Sequence, residues 1–120
     1  MMMSFLDFNV LSHMCAPQVA PATMAALVRT ESSFHPYAIG VVHGHLLRQP
    51  SNQAEAMATA RQLERSGYNY SVGLAQINRS NFERYRLTSD SAFEPCVNLA
   101  VGADILARCF EAAQIGRAHV

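Results

Sequence analysis

Pro21-Ala22-Thr23-Met24-Ala25-Ala26-Leu27-Val28-Arg29-Thr30-Glu31-Ser32 is the stretch from which the rest of the chain can be placed. Pro21 suits a first helical turn, where its missing N–H costs nothing. Met24, Leu27, Val28 and Glu31 then recur at i, i+3, i+4 and i+7, on one face of a helix predicted over 21–32. Pro36 disfavours helix at the residue before it and closes the element. Three residues of that face are core types and the fourth is an acid. A carboxylate on an apolar face is costly unless it is paired or neutralised. Burial raises a carboxyl pKa, and the negative end of a helix dipole acts in the same direction. Both effects favour a protonated Glu31, the form a general acid needs. The other reading of the same spacing is a Glu at the edge of the stripe whose carboxylate reaches water.

Working outward, the chain reads as mainly α. A helix over 5–14 rests on Leu6, Val10 and Met14, and Pro17 and Pro21 separate it from the next. Residues 39–50 read as an irregular excursion in which Gly40 and Gly44 permit sharp turns. Asn52, with Glu55 three residues on, is predicted to cap a third helix. Ala56, Ala60 and Leu63 give that helix a modest apolar stripe, and Gly67 stops it. Residues 68–78 are short, aromatic and glycine-containing, a tight hairpin or a loop, followed by a brief helix over 80–85. A last helix starts at about Asn98, read as its cap, with Leu99, Ala103, Leu106 and Phe110 along one face.

Composition bounds the function. The 120 residues suffice for one domain. Nine basic residues, all Arg, balance nine acidic ones, and this lack of basic surplus argues against a nucleic-acid partner. No run approaches the roughly 18 apolar residues of a membrane span, so no stable membrane insertion is expected. The start, Met1-Met2-Met3-Ser4-Phe5, lacks the positive region of a secretory signal. Cys15, Cys96 and Cys109 are an odd number without zinc-site spacing; one bridge plus a leftover thiol and three buried thiols both remain open.

Three motifs carry a resemblance. Glu31-Ser32-Ser33-Phe34-His35-Pro36-Tyr37-Ala38 resembles the catalytic Glu-Ser motif of lytic transglycosylases related to goose-type lysozyme. Ser71-Val72-Gly73-Leu74-Ala75-Gln76-Ile77-Asn78 resembles their Gly-Leu-x-Gln-Ile motif. Asn98-Leu99, Gly102 and Ile105-Leu106 resemble the third. The Arg48-Gln49-Pro50 step and Gly67-Tyr68-Asn69 are most similar to the VirB1-like branch of type IV secretion systems. The resemblance implies a lysozyme-like domain acting on peptidoglycan glycan strands in the periplasm, beside type IV secretion components, without a cofactor or metal. It implies Glu31 as the sole catalytic carboxyl, Gln76 in the cleft touching the glycan or the backbone near the acid, Ser71 binding substrate, and Tyr70 and Tyr37 flanking the groove.

The implied reaction is non-hydrolytic. Glu31 protonates the β-1,4 oxygen after N-acetylmuramic acid, the sugar's N-acetyl group meets the charge at C1, and the C6 hydroxyl closes on C1 to leave a 1,6-anhydromuramoyl end. Two alternatives stand beside it. One is a lysozyme-like hydrolase, for which Glu83 or Asp90 would be the second carboxylate. The other is a non-enzymatic wall-binding assembly protein. A metal held by His35, His43 and His45 is a third and weaker reading beside loop imidazoles. The family's later Tyr-containing motif has no match here. Ile115-Gly116-Arg117-Ala118-His119-Val120 reads as a translated sequencing adapter, or else as an ordinary frayed tail. The expected domain is therefore 1–114, incomplete at its C-terminus, with 115–120 a non-native tail.

Overall fold

The computed structural model describes residues 2–118, with side chains as far as Gln114. Five α-helices surround one small sheet: α1 (Phe5–Cys15), α2 (Pro21–Ser32), β1 (Ile39–Val41), α3 (Gln53–Arg65), β2 (Tyr70–Val72), β3 (Ile77–Asn78), α4 (Phe82–Tyr85) and α5 (Pro95–Ala118). Short 3-10 turns at Arg79–Asn81 and Ser91–Phe93 flank α4. The chain is mainly α, as expected. No helix among the described residues is long and apolar enough to cross a membrane.

The predicted helix over 21–32 is α2, and its apolar face is buried at Met24 and Val28. Burying each such side chain contributes about 1.5–3 kcal/mol. The third helix is also where it was expected. Asn52 Oδ1 accepts the Glu55 N–H at 2.9 Å, while the Glu55 carboxylate turns away to Arg48, 2.8 Å distant, so the reciprocal half of the capping box is not used. At the other end the Gly67 N–H reaches Glu64 O and the Tyr68 N–H reaches Leu63 O. With Gly67 at φ 77°, this is the left-handed glycine stop that closes many helices.

Two expectations need correction. In α1 the element is right but the face is wrong: Leu6, Val10 and Met14 are exposed, and Phe8 and Ser12 are buried. The Phe8 ring meets Phe34 edge-on at 5.1 Å, and Cys15 is bridged to Cys96. Spacing cannot choose between two apolar stripes on one short helix; these long-range partners do. The second correction is Asn98, which does not cap the last helix. That helix begins three residues earlier, at Pro95, with the Glu94 carboxylate accepting the Val97 N–H at 2.9 Å. Asn98 is inside the helix and completely buried.

The cysteine question resolves as one bridge, Cys15–Cys96, and one free exposed thiol, Cys109. Helix α5 continues through the start of the stretch expected as a tail, and residues 119 and 120 lie outside the described residues.

Helix α5 divides the core. Leu99 and Ala103 face α1, α2 and Leu74. Val101 joins the sheet, Ala56 and Ala60 of α3, and Phe82 and Phe93. The sheet is antiparallel in the order β1-β2-β3, with Ile39, Val72 and Ile77 in one cross-strand row and Gly40, Ser71 and Asn78 in the next. Because side chains alternate along a strand, the first row enters the core and the second faces away from it.

Candidate functional site

The connection between β2 and β3 is tied down by side-chain amides from both within and outside it. Its Leu74 and Ala75 are buried, which is unusual for a loop, because its backbone groups then need partners inside the protein. Asn98 supplies one of them: its Oδ1 accepts the Ala75 N–H at 2.8 Å, while its Nδ2 donates to Val72 O at the end of β2 and to Ala92 O, both at 2.9 Å. Residue 73 has to be glycine twice over. Its φ is 79°, and a Cβ there would lie 2.2 Å from Asn98 Nδ2.

Gln76 closes the connection in a left-handed conformation, φ 52°. Its Nε2 donates at 3.0 Å to Gly73 O and at 3.0 Å to Ala38 O. The amide oxygen lies over Gly40, where an added Cβ would be only 2.7 Å from Oε1. Gln76 thus bonds to the backbone at Ala38, in the segment that leads from α2 into β1. Beside it, Ser71 Oγ accepts from Asn78 Nδ2 at 3.1 Å, and Asn78 Nδ2 also donates to Asn69 Oδ1 at 3.0 Å. Gln76, Asn78 and Asn81 share an open cavity of about 210 Å³ with Leu27, Ile77, Ile105 and Cys109. Side-chain amides over an apolar floor suit an uncharged ligand with hydroxyl and amide groups.

Glu31 occupies the last turn of α2, one helical turn beyond Leu27 on the same face. It is exposed, so the burial expected of it is absent in the free chain. The edge-of-stripe reading describes its surroundings. No Arg or His pairs with it among the described residues. The chain leaves α2 through two consecutive left-handed residues, Ser33 at 52° and Phe34 at 62°. This reversal carries it past His35, Pro36 and Tyr37 into β1.

Tyr37 is half-buried against the sheet core, and its N–H donates to His35 Nδ1 at 3.1 Å. That bond favours the neutral imidazole, and burial lowers the His35 pKa below 6.5. Tyr70, expected to flank the groove, is instead completely buried. Its ring packs against Phe82, and burial pushes its phenol up. The alternation that turns Ser71 outward turns Tyr70 inward.

The carboxylates considered for a hydrolase are placed elsewhere. Asp90 is held by both oxygens on Arg61 at 2.8 Å. Glu83 borders a separate cavity with Glu64, Arg79 and Thr88. No group of three or more His, Cys, Asp or Glu able to hold a metal exists among the described residues, and His43 and His45 are exposed. The sequence presents Asn98 as a helix cap and gives Asn78 no role; in the fold Asn98 bonds to Ala75 and Asn78 to Ser71. Gly73 was the available signal for Asn98, since a glycine at a close approach implies a neighbour that needs the space.

The family model described as "Transglycosylase SLT domain" matches residues 8–117. Type IV secretion system protein virB1 of Brucella abortus is 54% identical over 108 residues, covering 90% of this chain and 45% of that protein. Protein virB1 of Agrobacterium fabrum is 39% identical over 107 residues, covering 87% and 42%. That of Rhizobium radiobacter is 33% identical over 105 residues, covering 87% and 44%. The chain thus spans under half the length of these relatives. No solved structure matches it.

Proposed function

We propose, from the premise that this chain belongs to the transglycosylase SLT domain family, that it carries the catalytic site of a lytic transglycosylase cutting peptidoglycan glycan strands. The observation that supports this most is the arrangement around Gln76: an amide tied to the backbone that follows Glu31, beside an amide-lined cavity that begins one turn from that acid. Glu31 protonates the β-1,4 glycosidic oxygen, the N-acetyl group of the muramoyl residue meets the positive charge at C1, and the ionised Glu31 then takes the C6 hydroxyl proton as that oxygen closes on C1. Ser71, Gln76 and Tyr37 bind or border the strand. A bound strand supplies the exclusion of water that Glu31 lacks in the free chain. Asp90 is tied to Arg61 and Glu83 borders another cavity, and among the described residues no carboxylate, Glu31 included, lines the cavity beside Gln76.

The bridge between Cys15 and Cys96 suits an oxidising compartment. Together with the names of the relatives, it supports action in the periplasm for a type IV secretion apparatus. The test is Glu31→Gln. Lysis of purified cell wall, followed by turbidity, should fall at least about a hundredfold while strand binding persists, and mass analysis of wild-type products should show anhydro ends. Full lysis by the variant would end the role given to Glu31. Binding without turnover in the wild type would favour a wall-binding assembly protein.

A further inference from the structure

We propose that Asn98 is a positioning residue: from the buried start of α5 it sets Gln76 and, through Gln76, the segment that leads away from Glu31. The proposal rests on the reading of Glu31 and Gln76 given above. An Asn inside a helix is an unfavourable choice, since its side chain competes for backbone bonds. Here the side chain is fully buried and completely used, with one acceptor bond and two donor bonds to three different parts of the chain. Those parts are the end of β2, the connection before Gln76, and the 3-10 turn before α5.

The bond that matters for the site is the one from the Ala75 N–H. It fixes the residue next to Gln76, which itself sits at φ 52°. Outside glycine, that conformation persists only where the surroundings over-determine it. Held this way, Gln76 directs Nε2 at Ala38 O, which also takes the Gly73 N–H at 2.9 Å. Both donors to Ala38 thus come from the connection that Asn98 braces. Ala38 is the residue immediately before β1, at the end of the reversal that begins beside Glu31. A brace needed only for stability could sit anywhere along the connection. This one ends at the position adjacent to Gln76.

The experiment uses the whole, disulfide-bonded chain. In wild type, proton exchange measured by NMR should show the Gln76 side-chain amide protected at least about tenfold over a free amide and opening together with the Ala75 N–H. In Asn98→Ala and Asn98→Ser, which remove the acceptor for the Ala75 N–H, that side-chain protection should be lost while backbone amides of α3 keep theirs. On wall strands both variants should lose about tenfold to a hundredfold in kcat with KM within about twofold. Adding Asn98→Ser to Gln76→Ala should then cause no further fall in kcat, because both act through one group. The proposal is overturned if the Gln76 amide exchanges freely in wild type, if it stays protected in a folded variant, or if the two losses multiply. A wild type that shows the exchange behaviour but never cleaves the wall removes the catalytic reading and leaves the brace standing.

Discussion

Gly40 and Gln76 meet so closely that one methyl group decides between them. In Gly40→Ala the new Cβ would lie 2.7 Å from Gln76 Oε1, the far end of a flexible side chain. The amide can move aside, so unfolding free energy should change by no more than about 1 kcal/mol, while wall lysis falls because Gln76 leaves Ala38. Lysis at the wild-type rate would show that the placement of Gln76 is not needed. His35 makes a second prediction at this scale. Burial lowers its pKa below 6.5 in the folded chain, so the unfolded chain binds more protons in that window. The stability His35 confers is complete above about pH 6.5 and is lost as pH falls towards its lowered pKa. His35→Asn, which keeps an acceptor for the Tyr37 N–H, should flatten that stretch of the stability–pH curve measured by denaturant unfolding. An unchanged slope would place the titration elsewhere.

At the scale of elements, β1 depends on a side chain for part of its pairing. Its Ile39 N–H donates to Gln49 Oε1 at 2.8 Å, and Gln49 Nε2 donates back to Ile39 O at 3.0 Å. The glutamine thereby stands in for a neighbouring strand on the outer edge of the sheet. Gln49→Ala leaves both groups without their protein partner and should cost about 1–3 kcal/mol, read as a lower denaturant midpoint at constant m-value. A loss below a few tenths would mean that water replaces the amide without penalty. The excursion over 39–50 thus has an ordered purpose that its composition does not reveal.

Across the whole molecule, the Cys15–Cys96 bridge joins the end of α1 to the start of α5, 81 residues apart. Closing a loop of that length stabilises the folded chain by about 4.5 kcal/mol in the chain-entropy account. Reduction should therefore lower the thermal midpoint strongly. Cys109 should meanwhile be the one thiol that reacts in the native oxidised protein, because it is exposed and unbridged. Two or more reactive thiols before reduction would contradict the bridge. Cys96 lies two residues before Asn98, so the bridge also anchors the part of α5 from which the Gln76 connection is braced.

What could be read without coordinates was local. Pro21, the spacing of Met24, Leu27 and Val28, the Asn52 cap and the Gly67 stop are properties of neighbouring residues, and each marked its element where the fold has it. The motif order likewise marked Glu31 and Gln76 as the residues to examine. The rest depended on partners distant in sequence. Leu6, Val10 and Met14 were as plausible a core face as Phe8 until Phe34 and the Cys15 bridge selected one. Asn98 suited a helix cap until Gly73 opened a space that its amide could fill. Tyr70 belonged with the aromatic groove residues until strand register sent it inward. Hydrogen-bond propensity and helical period act over a few residues, whereas the choice of buried face and of buried polar partner is made only when separate elements pack together.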